Sequence, residues 1–535
     1  MTRTINLAAA AAARAAVEHL DIEPADRVEY RSQGLVAVIG GPEAMEFAPR
    51  LCEPLRPRVV LTNGAEEPGV PVIPVGGRSL RIDGYMGAFK IRLGEAGSPA
   101  SETLPVDLIL DLTPVPLLGM PVKPPGYLCS GTDETSLAAA LEQLSSLIGT
   151  FEKPRFFEYD PSVCAHGRSG QIACNRCIDS CPAEAIVGLA ERVEVDPYLC
   201  QGGGVCASVC PTGAIRYTFP RAADTLSRVR IMLRAYLQAG GEQPVIIFVS
   251  SQDVGSLAPL PANWLLVAVE ELASVGLEVW LSSLAYGACR VLMVDGGSMP
   301  DRVGQALELQ FETVRAILGG LGYSGDAIAL RSVATLTAEE QSVMPPIQPA
   351  GYYALADKRQ TAYLAIDYLH GQTGRAKAMV NLPAGAPFGS AEVKAAACTL
   401  CLACVGVCPG KALQDGYDRP ELRFIEANCV QCGLCTRTCP EDAISISPRL
   451  LFEPQERTKP RILHQDEPFC CPSCGKPFAT RSVISKMLDK LKQHPMFQTE
   501  RARRRLTLCD DCRVVDIVQD SEAMEAGLEP PSIGH

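Results

Sequence analysis

The chain has 535 residues, of which 47% are hydrophobic and 21% are charged, a composition typical of a globular protein with several domains. Its formal net charge of -12 argues against a chain that binds nucleic acid along its whole length. The 23 cysteines are unusual. Disulfide scaffolds of this kind are usually short secreted chains, so clustered cysteines in a long chain indicate thiolate ligands for metals.

The N-terminus begins "MTRTINLAAAAAARAAVEHL", an alanine-rich run that Arg14, Glu18 and His19 interrupt. Because no leucine- or valine-rich segment develops, we expect a surface helix here and not a signal peptide. The sequence contains no stretch of 18 uncharged apolar residues, so no membrane span is predicted. We therefore expect a cytoplasmic protein.

Residues 1–150 are predicted to form an N-terminal α/β domain. Short runs rich in Val, Leu and Ile at 34–41, 58–64 and 106–112 each end in Gly, Asn, Asp or Pro, as buried strands of such domains do. Cys52 and Cys129 stand alone in this region, and we expect both to be small buried hydrophobic residues.

A second α/β domain is predicted over 226–335, followed by a connector over 336–390 that is rich in Pro and Gly. The apolar patterns predict a strand at 244–251, a helix at 265–276, a strand at 278–283 or at 290–297, and helices at 303–322 and 361–371.

Residues 391–450 contain two complete runs of the form C-x2-C-x2-C-x3-C-P, "CTLCLACVGVCP" (398–409) and "CVQCGLCTRTCP" (429–440). In two-cluster ferredoxins the fourth cysteine of each run binds the other cluster. A pair of zinc sites is the alternative, but zinc takes four ligands and these runs supply interleaved triplets. We predict one [4Fe-4S] cluster held by Cys398, Cys401, Cys404 and Cys439, and another held by Cys429, Cys432, Cys435 and Cys408.

Residues 151–225 contain a less regular version of the same pattern. Nine residues separate Cys164 from Cys174, and Gly203 stands where the second cysteine of "CQGGGVCASVCP" (200–211) is expected. His166 is a candidate ligand, although a hydrogen-bond donor in a loop is the favoured interpretation. We predict a third [4Fe-4S] cluster on Cys164, Cys174, Cys177 and Cys210, and a fourth centre on Cys181, Cys200 and Cys206.

The fourth centre is predicted to be a [3Fe-4S] cluster or a [4Fe-4S] cluster with a ligand other than cysteine. Loss of one thiolate removes a negative charge from the shell of the cluster, which favours the reduced state. We therefore expect this centre to have the highest potential in the protein.

Residues 160–450 resemble the polyferredoxin-like iron–sulfur proteins that accompany molybdenum- or tungsten-dependent formate dehydrogenases of proteobacteria. The phrases "CAHGRSG", "DPYLCQGGGVCASVCPTGAI" and "LPAGAPFG" followed by "ACTLCLACVGVCPGKAL" carry the resemblance. In such proteins a cysteine occupies the position of Gly203. The stretch "SLAYGACRVLMVDG" (283–296) is remotely similar to the iron–sulfur delta subunit domain of methyl-viologen-reducing hydrogenase, which has cysteines of its own, whereas only Cys289 is present here.

The C-terminal segment 455–520 contains two C-x2-C pairs, and 34 residues separate the pairs. The spacing of Cys471, Cys474, Cys509 and Cys512 predicts a zinc-ribbon-like site, with iron on four thiolates as the alternative and Cys470 as a spare. Residues 481–505 are rich in Lys and Arg. Nucleic-acid binding is one interpretation, but a solvated helix face or a dock for an acidic partner is preferred because the whole chain is acidic.

The fold class expected is therefore multidomain α/β and α+β, with two ferredoxin-like modules, two α/β domains and a zinc-binding tail. The sequence contains no nucleophile–base pair and no dinucleotide fingerprint. This favours an electron-transfer subunit of an oxidoreductase complex, and the resemblance implies a formate dehydrogenase-type molybdoenzyme as its partner. The alternatives are an accessory factor that matures a molybdoenzyme and a flavin-dependent oxidoreductase subunit. The sequence predicts no oligomeric state.

Overall fold

The computed structural model describes residues 2–20, 25–63, 71–94, 102–336, 344–417 and 419–520. They form two compact units of mixed α/β structure. The first unit comprises Met1–Cys164 and Asn175–Ala376, and the second comprises Ala165–Cys174 and Lys377–His535.

The first unit contains a five-stranded parallel sheet, called here the N-terminal sheet. Its central strands match the apolar runs predicted at 34–41, 58–64 and 106–112, although position 64 lies outside the described residues. The strand order is Val72–Pro74, Arg56–Leu61, Leu35–Gly40, Leu108–Asp111 and Tyr127–Cys129. Other elements nearby are the antiparallel strands Ser79–Asp83, Phe89–Gly94 and Glu102–Val106, the paired strands Arg27–Ser32 and Gly149–Pro154, and the helices Pro42–Phe47, Ala48–Arg50 (3-10) and Glu134–Ser146.

The expectation that Cys52 and Cys129 are buried is wrong, because both side chains are exposed. Cys52 lies in the loop after the 3-10 helix Ala48–Arg50, and Cys129 ends the edge strand Tyr127–Cys129. Neither position is covered by a neighbouring element, a condition that spacing along the chain cannot reveal.

A second parallel sheet, called here the middle sheet, also belongs to the first unit. Its order is Trp264–Val269, Val245–Ser250, Arg290–Asp295 and Ile328–Ser332. Its helices are Thr2–Val17, Ala222–Gln238, Leu277–Ala285, Asp301–Leu321 and Lys358–Gln372, with 3-10 turns at Val254–Ser256, Leu272–Ser274, Gly325–Ala327 and Val333–Thr335.

The structure corrects one element of this sheet. Residues 265–276 were predicted to form a helix, but Trp264–Val269 is a strand and a 3-10 turn follows at Leu272–Ser274. A strand covered on both faces has no alternation of apolar and polar residues, so its pattern cannot be told from that of a buried helix. Residues 278–283 lie in the helix Leu277–Ala285, and the strand is the alternative at 290–297.

The predicted helices at 303–322 and 361–371 are confirmed as Asp301–Leu321 and Lys358–Gln372. The N-terminal helix Thr2–Val17 is also present, and it packs on Ala222–Gln238 beside the middle sheet. Among the described residues, none of the helices combines the length and the apolar character that a membrane crossing requires.

The two cysteine-rich regions share one arrangement: an antiparallel pair that joins the ends of the region, an internal hairpin, and two short helices. In each run the last cysteine lies at or just after the end of a short helix. In the first region the elements are Phe157–Tyr159 with Ile215–Tyr217, Ile186–Leu189 with Arg192–Val195, and helices Arg176–Ser180 and Val205–Val209. In the second region they are Gly389–Val393 with Ile444–Leu451, Leu413–Gly416 with Arg419–Phe424, and helices Ala403–Gly406 and Leu434–Thr438.

The remaining elements are short. The second unit adds the strands Gly167–Arg168, Gln171–Ile172, Met379–Asn381 and Arg461–Gln465 and the helix Pro454–Thr458. A hairpin of Pro468–Cys470 and Pro477–Thr480 precedes the helices Arg481–Leu491, Glu500–Arg505 and Asp510–Val518. Further 3-10 turns lie at Pro161–Val163, Glu426–Asn428 and Pro495–Phe497.

Candidate metal centres

The eight cysteines of the region 398–439 line two separate pockets. Each pocket also has apolar walls, supplied by Leu422 and Ile444 in one case and by Phe424 and Ile446 in the other. The first pocket is lined by Cys398, Cys401, Cys404 and Cys439, and the second by Cys408, Cys429, Cys432 and Cys435. The structure thus brings together the two interleaved sets that the spacing predicts, and each set offers the four thiols that a cubane cluster needs.

The backbone of these loops explains how closely spaced cysteines reach one pocket. Two positions in each run, and a third two residues after it, lie in the left-handed region, which residues other than glycine rarely adopt. The turns also direct backbone N–H groups at sulfur, since the Ala412 N–H donates to Cys408 Sγ at 3.2 Å and the Ala443 N–H to Cys439 Sγ at 3.3 Å. The left-handed residues are Leu400, Leu402 and Lys411 for the first run and Gln431, Gly433 and Asp442 for the second.

Without a bound metal, the protein environment disfavours ionisation of these thiols. Burial, and then the neighbouring cysteines, raises the pKa of Cys404 to about 12. Burial raises the pKa of Cys432 to about 11 even though the Leu434 N–H opposes it, and burial also raises the pKa of Cys435. A thiolate in these pockets would therefore need a bound cation to stabilise its charge.

In the first cysteine region, Cys181, Cys200 and Cys206 line one pocket together with Gly203. Burial raises the pKa of all three thiols, most strongly that of Cys206. The run 200–211 has the same left-handed positions as the run 429–440, since Gly202, Gly204 and Gly213 correspond to Gln431, Gly433 and Asp442. The loop therefore retains the backbone of a complete cluster-binding run although one cysteine is missing.

Gly203 differs physically from the glycines on either side of it. A Cβ atom at Gly202 would lie 2.8 Å from the ring of Phe156, and one at Gly204 would lie 2.5 Å from Cβ of Ser274. A Cβ atom at Gly203 would meet only Pro182, at 3.9 Å. Packing and positive φ angles require glycine at 202 and 204, whereas position 203 has room for a side chain.

The third predicted set is brought together in part. Cys164 and Cys210 are buried and share a small apolar cluster with Ala214. Cys177 lies in the same unit, whereas Cys174 belongs to the second unit. The place of Cys174 in this set therefore stays a prediction.

His166 is buried in the second unit, and its Nδ1 lies 2.9 Å from the carbonyl oxygen of Cys174. Because a carbonyl oxygen only accepts, Nδ1 carries the proton and Nε2 keeps a lone pair. His166 thus donates within its loop, as favoured from the sequence, and its second nitrogen has no hydrogen-bond partner among the described residues.

Three basic side chains donate hydrogen bonds to the backbone around Cys181, Cys200 and Cys206, and no sequence pattern predicted them. Lys153 Nζ donates to the carbonyl oxygen of Cys200 at 2.6 Å, and Arg302 Nη1 donates to that of Cys181 at 2.9 Å. Lys358 Nζ donates to the carbonyl oxygens of Ala207, at 2.9 Å, and Ser208. Burial lowers the pKa of Lys153 to about 8, although the nearby Cys200 and Asp196 oppose this shift. No local pattern marks these residues, because their partners lie far away in the sequence.

The C-terminal cysteines form a compact group. The sulfur atoms of Cys471, Cys474, Cys509 and Cys512 all lie within 4.8 Å of one another, and Cys474 Sγ lies 3.6 Å from Cys509 Sγ. Zinc–sulfur bonds of about 2.3 Å in a tetrahedron place the sulfurs ~3.8 Å apart, so the group fits a tetrahedral ion. Cys470 is exposed and lies outside the group.

The architecture around this group departs from the zinc ribbon that the spacing predicts. The first pair lies at a hairpin whose turn contains Gly475 at a φ of 75°. The second pair does not lie in a hairpin, because Cys509 caps the helix Asp510–Val518 and Cys512 lies in its first turn. A C-x2-C spacing fits both a hairpin turn and a helix start, so the spacing alone could not distinguish them.

The basic residues between the two pairs are largely engaged within the chain. Lys486 Nζ donates to the carbonyl oxygen of Ala397 at 2.6 Å, next to the first cysteine of the run 398–409. The strip therefore makes ion pairs within the chain, and the preference for a solvated helix face or a dock for an acidic partner stays a prediction. The ion pairs are Arg481 with Glu467, Lys486 and Lys490 with Glu441, and Arg501 and Arg505 with Asp516.

Comparison with known proteins identifies two segments. Residues 397–444 match the family described as the 4Fe-4S dicluster domain, and residues 193–216 match the family described as the 4Fe-4S binding domain. No curated protein matches the chain. The chain therefore contains two ferredoxin-type 4Fe-4S domains, and such domains indicate iron–sulfur electron transfer.

Proposed function

We propose that this chain is an electron-transfer subunit that relays single electrons between protein redox partners. The observation that carries the proposal is the pair of pockets in the region 398–439, each lined by four cysteines drawn from both runs. An iron–sulfur cluster in such a pocket supplies one-electron redox chemistry. The residues of this chain bind the irons, keep water out with apolar walls, and direct N–H groups at the sulfurs.

The ligand sets are proposed as the spacing predicts them. Cys398, Cys401, Cys404 and Cys439 would hold one cluster, and Cys408, Cys429, Cys432 and Cys435 another. In the first region, Cys164, Cys174, Cys177 and Cys210 would hold a third cluster, and Cys181, Cys200 and Cys206 a fourth centre. We also propose the domain boundaries that the sequence predicts.

The exposure of one cysteine supports a proposal about which cluster exchanges electrons with a partner. Cys401 is exposed, whereas the other cysteines of its set are half-buried. Because electron transfer between proteins needs a cluster close to the surface, we propose that the centre bound by Cys401 exchanges electrons with a partner. A formate dehydrogenase-type molybdoenzyme is the proposed partner, and the resemblance of residues 160–450 supports it.

We also propose that Cys471, Cys474, Cys509 and Cys512 bind one zinc ion with a structural role. Four thiolates and no open position are typical of structural zinc sites. The contact of Lys486 with Ala397 supports a tail that steadies the loop of the run 398–409.

Anaerobic purification followed by metal analysis and redox titration tests the function. We expect about four irons and four sulfides for each complete cysteine set and reversible one-electron transitions within roughly -700 to +450 mV. Co-purifying proteins should include a molybdoenzyme. Clusters that bind but do not titrate in this range would contradict electron transfer and favour the accessory-factor alternative, and a flavin spectrum would favour the flavin-dependent one.

A further inference from the structure

The strand order of the middle sheet creates a crevice. Val245–Ser250, the first strand in the chain, lies between Trp264–Val269 and Arg290–Asp295, so the chain changes its winding direction there. In open parallel sheets, the carboxyl ends of the strands at such a point leave a crevice where ligands bind. Ser250 and Asp295 are the last residues of the two strands that flank it.

This crevice and the incomplete cysteine set share one pocket, called here the Gly203 pocket. Cys181, Cys200, Gly203 and Cys206 line it, and so do Ser250 and Asp295. The pocket has a volume of about 190 Å³. A cluster on Cys181, Cys200 and Cys206 would take the part of this volume beside the thiols, and the part beside Ser250 and Asp295 would remain for a small ligand.

The charge of the Gly203 pocket restricts what it can bind. Asp253, Glu271 and Asp295 line it, and within the described residues its lining includes no Lys or Arg. Asp253 is packed against the loop after Arg290–Asp295, because a Cβ atom at Gly296 would lie 2.2 Å from Asp253 Oδ1. Carboxylates disfavour a phosphate or carboxylate ligand and favour a cation.

The cysteine side of the pocket offers three thiols, one ligand fewer than a four-iron cluster needs. Three thiols converge on it, and the fourth corner of the repeated loop is Gly203, whose Cβ position is free of contacts under 3.9 Å. A fourth iron in this set would have no side chain of the run to bind it. Thiolates are preferred ligands of iron in such centres.

We propose that the Gly203 pocket binds a small thiol with a positively charged tail. The sulfur takes the ligand position that Gly203 does not supply, and the tail faces Asp253 and Asp295. The thiol releases its proton to solvent on binding, and no electron is transferred in this step. This inference rests on the proposed cluster of Cys181, Cys200 and Cys206.

Three thiols with matched size and different tails test the inference on the full chain, purified anaerobically with its clusters. The probes are cysteamine, 2-mercaptoethanol and 3-mercaptopropionate, and binding is followed by calorimetry and by the visible and EPR spectra. We expect cysteamine to bind at least about tenfold more tightly than 3-mercaptopropionate, with 2-mercaptoethanol between them. Equal affinity of the three probes, or no spectral response to any, would overturn the inference.

Three variants locate the binding. Gly203→Cys should abolish the response to all three thiols, because its own sulfur takes the position, whereas Gly203→Ala should retain it. Asp295→Asn should reduce the preference for cysteamine several-fold. Asp415→Asn, which changes the net charge equally but lies in the second unit, should not. Binding that survives in Gly203→Cys would overturn the inference.

The iron count separates failure of this inference from failure of the proposed function. Iron and sulfide for four centres, without a thiol response, would overturn the inference and leave electron transfer standing. A [3Fe-4S] centre at this set has no fourth iron and would have the same consequence. Binding of flavin mononucleotide in the pocket would also overturn it. Absence of redox-active iron from the whole chain would remove both proposals.

Discussion

Lys358 Nζ lies 3.8 Å from the carboxylate of the buried Glu278. The same ammonium group donates to the carbonyl oxygens of Ala207 and Ser208, in the short helix Val205–Val209 between Cys206 and Cys210. One cation therefore lies beside a buried carboxyl group and also holds the loop that carries two candidate cluster ligands.

Replacement of Lys358 by Met should destabilise the first unit by ~3–5 kcal/mol, the usual effect of leaving a buried charge without its partner. Chemical denaturation of the anaerobic protein measures this. Adding Glu278→Gln should restore much of the loss, because the unpaired charge is then gone. If the double variant is no more stable than Lys358→Met, the ion pair does not account for the effect.

The loss of stability in Lys358→Met should depend on pH. Burial raises the pKa of Glu278 in the folded protein, so folding favours the protonated carboxyl. The stability from this preference is present below the unfolded pKa and is lost as the pH rises toward the folded pKa. Without Lys358 the folded pKa rises further, so the deficit in stability should grow as the pH rises above the unfolded pKa of a glutamate, about 4.3. A deficit that does not vary with pH would contradict this assignment.

Substitution of a single ligand should remove a single cluster from the second cysteine region. Cys401→Ala and Cys432→Ala belong to different predicted sets, so each should lose ~4 irons per chain and block electron passage. Iron analysis and EPR of the reduced protein measure the loss, and Cys52→Ala, an exposed cysteine outside every set, serves as the control. Survival of both cluster signals in both variants would show that the ligand sets are wrong.

The C-terminal group should bind zinc. Cys471→Ser should release about one zinc per chain and increase proteolysis within 465–515, because a small segment with little core depends on its metal. Cys470→Ser is a closely matched control, since it is adjacent but exposed and outside the group. The cluster spectrum should not change in either variant. A protein that contains iron and no zinc would refute this prediction.

A cysteine at position 203 should lower the potential of the centre on Cys181, Cys200 and Cys206. The Cβ position at Gly203 is free, so the side chain fits, and a fourth thiolate adds a negative charge that disfavours the reduced state. Redox titration followed by EPR measures the shift. Gly203→Ala adds the Cβ atom without the thiolate and should leave the potential close to that of the natural chain. A natural chain with only three clusters would instead mean that the site has lost its metal.

In the region 398–439 the cysteines that line each pocket are those that the spacing groups together, and their binding of clusters stays a prediction. Cys439 was assigned to the set of Cys398, and Cys408 to the set of Cys429, from the C-x2-C-x2-C-x3-C-P frame alone. The spacing is informative because short loops with fixed left-handed turns leave the side chains few directions. Apolar patterning, which is also local, predicted the three central strands of the N-terminal sheet and the helices at 303–322 and 361–371.

Only the tertiary structure decided the surroundings of these loops. Residues 265–276 were predicted as a helix, and the pairing of Trp264–Val269 with Val245–Ser250 makes this part a strand. That pairing sets the winding of the middle sheet and brings Asp295 into the pocket of Gly203. Tertiary packing also brings Lys358 to the helix between Cys206 and Cys210. These contacts join residues distant in sequence, and their free energy comes from burial and charge pairing that no local pattern records.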